Sequence, residues 1–253
     1  MVLAQQQTTG LDMVQTAIER IREFCPPEGY YVAFSGGKDS IVIKDLVKSA
    51  GVKHDLHFQL TTVDPPELLH YIREYHADVE WHKPTKTMWQ LIVEKRMPPT
   101  RKVRYCCLEL KERGGEGRTV LTGVRWAESV ARRRRRMVER FGKKWMVHPI
   151  IDWSDSEVWE YIRTRELAYC RLYDEGQTRI GCIMCPNAGR RQLADAKRWP
   201  KYRMAYIHAF QRMVDKRIAD GLPTKWRTGL SVYRWWTKDR KKKKAPKGCW
   251  LFE

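Results

Sequence analysis

Residues 30–43 read YYVAFSGGKDSIVI and contain the most informative motif of the chain. The apolar run at residues 30–34 predicts a buried strand, which two glycines then break. From Asp39 to Ser49 apolar residues recur at helical spacing. The sequence therefore predicts a strand, a glycine turn and a helix in direct succession.

The turn has the composition of a loop that holds a phosphate. It consists of Ser35, Gly36, Gly37, Lys38, Asp39 and Ser40. Its glycines let the backbone approach an anion closely, and free N–H groups of the turn and of the helix N-terminus point at that anion. Its two hydroxyls and its ammonium group add donors and positive charge. Asp39 is an unusual neighbour for an anion, and we expect it to help hold Mg²⁺.

Strand and helix signals alternate along the first two thirds of the chain. Further strands are predicted at 56–60, 78–81, 119–124 and 145–150, and helices at 11–24, 65–75, 87–95 and after a capping box at Ser154 and Glu157. This order predicts an α/β fold of the Rossmann-like type, a parallel twisted sheet with helices on both faces. We expect a nucleotide-binding domain at 1–189, and a small, helical, basic C-terminal region with a flexible tail at 190–253.

Positive charge is concentrated at the C-terminal end. The chain has 253 residues and a net charge of +19, and residues 190–253 contain 19 Lys and Arg against 5 Asp and Glu. Five tryptophans lie in the same region. An excess of this size, interleaved with aromatic residues, favours nucleic acid as a partner, although a solubilising surface is the alternative. No apolar run is long enough to span a membrane and no signal pattern precedes the first helix, so we expect a cytoplasmic protein without a membrane partner.

Four of the seven cysteines form two close pairs, 75 positions apart. They are Cys106, Cys107, Cys182 and Cys185, called the cysteine quartet below. Clustered cysteines in a cytosolic chain indicate metal or redox chemistry rather than disulfides. Four thiolates suit either an iron–sulfur cluster or Zn²⁺. Cys25 and Cys170 lie in apolar sequence and are predicted to be ordinary core thiols.

Residues 35–40 resemble the PP-loop of ATP pyrophosphatases, which cleave ATP between its α- and β-phosphates. The cysteine quartet resembles the [4Fe–4S] site of adenylyl sulfate reductases and of some DNA-phosphorothioation enzymes. The segments RYCC at 104–107, TGVR at 122–125, HPIIDW at 148–153 and LYDEG at 172–176 resemble the same PAPS reductase family, in its order. The resemblance implies a [4Fe–4S] cluster, and a nucleotide site lined by Arg104, Lys111 and Arg125.

Two departures from that family bear on the substrate. The sulfonucleotide reductases usually have a degenerate loop after the first strand, whereas this loop is complete and favours ATP itself. Those reductases also carry a nucleophilic cysteine in an ECGLH tail, whereas this tail reads KGCWLFE at 247–253. Cys249 is near the right place and Lys247 could lower its thiol pKa, but an incidental cysteine is the favoured interpretation.

Three functions remain open from the sequence. The first is an ATP-dependent, pyrophosphate-releasing sulfur-transfer enzyme acting on nucleic acid, with Lys38 and Asp39 in catalysis and a cysteine desulfurase or another protein as sulfur donor. The second is an adenylyl sulfate or PAPS reductase, in which Cys249 attacks sulfur and thioredoxin releases sulfite. The third is a nucleotide-sensing, nucleic-acid-binding protein without turnover.

Three other features are ambiguous in the sequence. The run of five arginines at 132–136 is predicted on a helix, where some of the side chains should meet an anion. The pair Trp235 and Trp236 could stack on bases, or pack in a core or dimer. The seven histidines show no spacing typical of a metal site.

Overall fold

A computed structural model describes residues 10–189 and 191–237. These residues form two compact units, each of which is discontinuous in sequence. The first unit comprises residues 10–85 and 108–181, and the second comprises 86–107 with the described residues from 182 onwards. The predicted boundary after residue 189 lies inside the second unit.

Across the described residues, the helices and strands of the first unit follow the predicted alternation. The helices are α1 (Gly10–Glu23), α2 (Lys38–Ala50), α3 (Pro66–Tyr75) and α6 (Asp155–Thr164). The strands are β1 (Tyr30–Ala33), β2 (His54–Gln59), β3 (Glu80–His82), β4 (Thr119–Leu121), β5 (Val138–Phe141) and β6 (Lys144–Val147). The predicted capping box is confirmed, because the Ser154 hydroxyl accepts from Glu157 N at 3.2 Å and the Glu157 carboxylate accepts from Ser154 N at 2.6 Å.

The six strands form one sheet in the order β3-β2-β1-β4-β6-β5. All pairings are parallel except that of β5 with β6. The α/β class is thus confirmed, and β5 is an antiparallel edge strand that the sequence analysis did not predict. The chain leaves β1 towards β2 and β3 on one side, while β4 lies on the other, so the order reverses between β1 and β4. Ligands of open α/β sheets bind at the carboxyl edge beside such a reversal.

Two glycines allow the close packing at this edge. Gly36 has a φ of +69°, and a Cβ there would lie 2.7 Å from Leu68 Cδ1 of α3. Gly123, just after β4, would place a Cβ 2.8 Å from the backbone of Asp39. Only residues without a side chain let β4 and α3 approach the turn after β1 so closely.

The second unit is helical and aromatic. It contains α4 (Met88–Lys95), α7 (Arg191–Arg198), α8 (Pro200–Ala219) and α9 (Gly229–Thr237), and α5 (Tyr105–Leu110) begins in it. The helical C-terminal region is confirmed, and α8 ends before Gly221, which has a φ of +66°. The ring of Tyr206 packs on Trp89 at 4.9 Å and on Trp236 at 4.8 Å. In the described part of the chain, no helix combines the length and apolar character needed to cross a bilayer.

Candidate functional site

The loop at residues 35–40, called the phosphate loop below, is held by hydrogen bonds from within. The Ser40 hydroxyl donates to Gly37 O at 2.8 Å and accepts from Ser35 N at 3.2 Å. Helix α2 begins at Lys38, whose N–H donates to the Tyr173 hydroxyl at 2.8 Å. Its N-cap is Gly37, which has no side chain to satisfy the amides of the first turn. A helix N-terminus of this kind offers amide donors to an anion, so the geometry is compatible with the predicted phosphate site, which stays a prediction.

A fully buried guanidinium group lies behind the loop. Arg125 donates to Asp39 Oδ1 at 2.7 Å, to Asp155 Oδ1 at 2.6 Å and to Trp153 O at 3.0 Å. Its side chain has no solvent-accessible surface. These acceptors engage three of its five N–H donors, so Arg125 supports Asp39 of the loop, and the expectation that it lines the nucleotide site stays a prediction.

The side chain of Lys38 lies in the same charge network and is only 6% exposed. Its Nζ is 3.3 Å from Asp155 Oδ1 and 3.7 Å from Asp39 Oδ2. Partial burial disfavours ionisation of Asp155, but the hydrogen bond from Arg125 and the charge of Lys38 outweigh it and lower the pKa of that carboxyl. Asp39 accepts a hydrogen bond from Arg125, so its expected role in holding Mg²⁺ stays a prediction.

Arg132 adds positive charge near Asp39, and Arg179 acts on Arg132 in turn. Burial, followed by the charge of Arg179, lowers the pKa of Arg132 to about 10. Arg132 also donates to Glu128. The expected helix at 132–136 is wrong: the chain forms one 3₁₀ turn at Arg132–Arg134 and continues into β5, where Glu139 accepts from Arg135. Arg133, Arg134 and Arg136 are exposed.

A cleft of about 210 Å³ adjoins the loop on one face of the sheet. Alternate residues of a strand point to one face, and those lining the cleft include Tyr31 and Ala33 of β1, His57 and Gln59 of β2, and Val120 of β4. Ser35 of the phosphate loop and the predicted site residue Lys111 also line it. Its walls are mostly apolar with a few polar groups, as is typical of small-molecule sites.

The cysteine quartet lies entirely in the second unit. Cys106 and Cys107 are in the first turn of α5, and Cys106 is buried. A hydrogen bond with Cys107 and burial raise the pKa of the Cys106 thiol, and the negative charges of the other three cysteines raise it further. The effect of the other three cysteines on Cys106 shows that the four side chains are near neighbours, and metal cations would relieve the repulsion between their thiolates. The donor set therefore fits an iron–sulfur cluster or Zn²⁺.

The turn between Cys182 and Cys185 is held by buried side chains. Met184 has a φ of +59°, a strained conformation for a residue other than glycine. Asp195 accepts from Met184 N at 2.9 Å, Gln192 donates to Met184 O at 3.1 Å, and Tyr206 donates to Ile183 O at 3.2 Å. These bonds fix a backbone that directs both thiols, as a rigid ligand loop requires.

The remaining predicted residues lie in the second unit, elsewhere in the first unit, or outside the described residues. Arg104 belongs to the second unit, where it donates to Cys107 Sγ at 3.2 Å, so it contacts the quartet. Cys170 is buried and Cys25 half-buried, and burial raises the pKa of both thiols. Trp236 is a core residue whose indole donates to Pro99 O at 2.6 Å. Cys249 and the basic tail lie outside the described residues.

Sequence reasoning did not assign Asp155 and Tyr173, which meet at the loop, or Arg179, whose charge acts on Arg132. Asp155 pairs with Lys38 and Arg125 from the first turn of α6, and its only signal in the sequence is its position after the Ser154 cap. Tyr173 lies in LYDEG, which was noted without a role. Arg179 follows it by six positions and has no local signal.

The comparisons with known proteins agree on one protein family. Residues 29–188 match the phosphoadenosine phosphosulfate reductase domain. An uncharacterized protein of Methanocaldococcus jannaschii is 31% identical over 186 residues, which are 68% of this chain and 45% of that protein. An adenosine 5'-phosphosulfate reductase of Oceanobacillus iheyensis is 31% identical over 60% of this chain and 69% of its own length. The match thus spans under half the length of the first of these relatives.

A crystal structure of phosphoadenylyl-sulfate reductase from Candida auris, in complex with phosphate, has the same fold. It superimposes with a TM-score of 0.52 and 20% identity, covering 72% of this chain and 97% of the other. The family match extends from the residue before β1 to the turn after the last cysteine of the quartet, and so includes the phosphate loop, Arg125 and all four quartet thiols. This chain therefore belongs to the phosphoadenosine phosphosulfate reductase domain family.

Proposed function

We propose that this chain is an ATP-dependent enzyme that releases pyrophosphate, adenylylates an acceptor and so prepares it to receive sulfur. The observation that carries the proposal is the complete phosphate loop at the N-terminus of α2. A β- or γ-phosphate bound there would meet backbone N–H groups and the ammonium of Lys38. A sulfonucleotide has no such β,γ-pyrophosphate, so a complete loop favours ATP.

In this proposal the cleft and the loop bind different parts of ATP. The cleft is smaller than a typical site for a whole drug-sized ligand, so it suits the base alone, with the phosphates outside it on the loop. Lys38, Arg132 and Arg179 would then stabilise charge that develops on the phosphate oxygens. Arg125 would keep Lys38 and Asp39 in place through Asp155 and its own bond to Asp39.

The proposed reaction has two displacements. An acceptor oxygen attacks the α-phosphorus of ATP, forming an acceptor–adenylate and releasing pyrophosphate. A persulfide carried by a donor protein then attacks the acceptor carbon or phosphorus that bears this oxygen, and AMP leaves with the oxygen. A thiol reduces the remaining S–S bond, which leaves sulfur on the acceptor and a disulfide on the donor. Mg²⁺ would neutralise the pyrophosphate that leaves.

The cysteine quartet would hold a [4Fe–4S] cluster, with Zn²⁺ as the alternative. A bound cluster would supply a redox-active centre whose potential is set by its surroundings. The hydrogen bond from Arg104 to Cys107 Sγ is of the kind that tunes such a centre. The rigid turn at Ile183 and Met184 would keep two of the thiols in place.

Nucleic acid is the proposed acceptor class. The support is electrostatic: 19 Lys and Arg against 5 acidic residues at 190–253, and the exposed guanidinium groups of Arg133, Arg134 and Arg136 in the first unit. In the second unit Trp235 is 38% exposed and packs on Trp226, with Lys225 near both rings. Exposed aromatic rings beside cations are typical of surfaces that stack on unpaired bases.

The second candidate is a sulfonucleotide reductase, which family membership favours. Its relatives at 31% identity include an adenosine 5'-phosphosulfate reductase. This function requires a nucleophilic thiol, and Cys249 is the residue that the sequence offers.

One experiment separates the two candidates. The protein is purified anaerobically and incubated either with ATP, a persulfide donor and DNA or RNA, or with adenylyl sulfate and a thiol reductant. We expect thiolated nucleotides in the nucleic-acid digest and no sulfite from the sulfonucleotide. Lys38→Met should abolish thiolation, while Lys48→Met, a matched change at the exposed last turn of the same helix, should not. Sulfite release without thiolation would assign the chain to the second candidate.

A further inference from the structure

A cluster of metal-binding side chains lies on strands β2 and β3. His57 is paired in register with Glu80, and Gln59 with His82, so His57, Glu80 and His82 share one face of the sheet. One ligand atom from each of the three lies within 4.8 Å of the others. The two histidines are 25 positions apart, which explains why their spacing in the sequence gave no sign of a metal site.

The first ligand is held in one orientation. His57 is 7% exposed, and its ring stacks on Tyr31 at 3.9 Å with an interplanar angle of 8°. Its Nε2 donates to the carboxylate of Asp55, which Arg118 holds with two hydrogen bonds of 2.6 Å. Asp55 thereby fixes the tautomer in which Nδ1 carries the lone pair. A histidine that donates its other N–H to a carboxylate is the usual arrangement around protein-bound metals.

The other two ligands converge on that lone pair. His57 Nδ1 is 2.7 Å from His82 Nε2 and 3.4 Å from a carboxylate oxygen of Glu80, whose second oxygen is 3.6 Å from His82 Nε2. The side chains of His82 and Glu80 are 33% and 66% exposed. An ion could therefore enter from solvent and keep a water molecule as an additional ligand.

We propose that His57 Nδ1, His82 Nε2 and the Glu80 carboxylate form a Zn²⁺ site with an open fourth position, separate from the cysteine quartet. Two imidazoles and one carboxylate are a donor set that Zn²⁺ prefers. On binding, both histidines are neutral, and His82 carries its proton on Nδ1. Asp55 is a positioning residue that acts through His57. The inference does not depend on the proposed function.

Without a metal, the same side chains would form a chain of hydrogen bonds from His82 through His57 to Asp55. Metal-binding measurements distinguish this hydrogen-bonded chain from a Zn²⁺ site. Anaerobically purified protein with its quartet intact is titrated with Zn²⁺ by calorimetry, and bound zinc and iron are counted after dialysis. We expect one zinc per chain in addition to the metal on the quartet. His82→Gln should weaken this binding by at least about 100-fold, and Asp55→Asn by about 10–100-fold.

His70→Gln is the matched control, because it removes an exposed histidine from α3 in the same unit. It should bind zinc as the unmodified protein does. Substitution with Co²⁺ reports the ligands directly: the His82-dependent ion should lack the thiolate charge-transfer absorption that cobalt on cysteines shows. Equal zinc affinity and stoichiometry in His82→Gln and the unmodified protein would overturn the proposal, as would a His82-dependent ion with thiolate absorption.

Discussion

Replacing Arg125 with methionine should lower the free energy of unfolding of the first unit by about 3 kcal/mol. Removing one partner of a buried ion pair typically costs about 3–5 kcal/mol, because the other charge stays buried without compensation. Here the cost should be at the lower end, since the side chain of Asp155 is 69% exposed and can be rehydrated. Asp39, at 22% exposed, and the carbonyl of Trp153 lose a donor that water replaces less well.

The measurement is denaturant unfolding of Arg125→Met beside Asp155→Asn. Asp155→Asn leaves Arg125 bound to Asp39, so it should lower the free energy of unfolding by about 1 kcal/mol or less, as the loss of an exposed ion pair does. In a domain of this size, 3 kcal/mol corresponds to a fall in Tm of about 6–12 °C. A double variant, Arg125→Met with Asp39→Asn, should be less destabilised than the two single changes added together, because both charges are then gone. An Arg125→Met protein within about 0.5 kcal/mol of the unmodified one would refute the assignment of Arg125 as the ionic support of the loop.

Four further predictions can be tested separately. Burial, followed by the charge of Lys44, lowers the pKa of His76 to about 4 from 6.5, so the contribution of neutral His76 to stability is complete above pH 6.5 and is lost as the pH falls towards 4. The free energy of unfolding should therefore fall by about 2 kcal/mol between pH 7.5 and pH 5. An equally steep dependence of this free energy on pH in His76→Gln would contradict the prediction. Anaerobically purified protein should be brown and contain about four iron atoms per chain, all lost in Cys182→Ser, whereas zinc alone would exclude the cluster. Deleting residues 238–253 should weaken nucleic-acid binding and reduce the slope of log affinity against log salt by about 0.7–0.9 per lost phosphate contact; unchanged curves would assign those lysines to solubility. Cys249→Ser should leave pyrophosphate release from ATP largely intact, and sulfite production that disappears with this change would favour the reductase instead.

Local patterns predicted the elements around the phosphate loop well. A short apolar run, two glycines and a helical repeat suffice to predict β1, the phosphate loop and α2, because each signal acts over a few residues. The capping box at Ser154 is equally local. Strand β5 was not predicted because the arginine-rich segment that leads into it shows no alternation of apolar and polar residues. The strand is stabilised by its pairing with β6 at the edge of the sheet.

The parts of the site that sequence analysis did not predict depend on contacts between distant residues. Arg125 meets Asp39 across 86 positions, and its burial follows from three acceptors that only the fold brings together. His57, Glu80 and His82 become neighbours through the parallel register of β2 and β3. Within the second unit Arg104 donates to Cys107 Sγ, and its expected place at the nucleotide stays a prediction.

The central claim is that the phosphate loop holds ATP for attack at the α-phosphorus. The most direct test is a single-turnover reaction with labelled ATP, excess enzyme, the acceptor and a persulfide donor, with all nucleotide products identified, in the unmodified protein, in Lys38→Met and in the control Lys48→Met. The account predicts AMP and pyrophosphate in equal amounts, dependent on the acceptor, from the unmodified protein and the control, and neither from Lys38→Met. ADP and inorganic phosphate, or AMP and pyrophosphate undiminished in Lys38→Met, would contradict it.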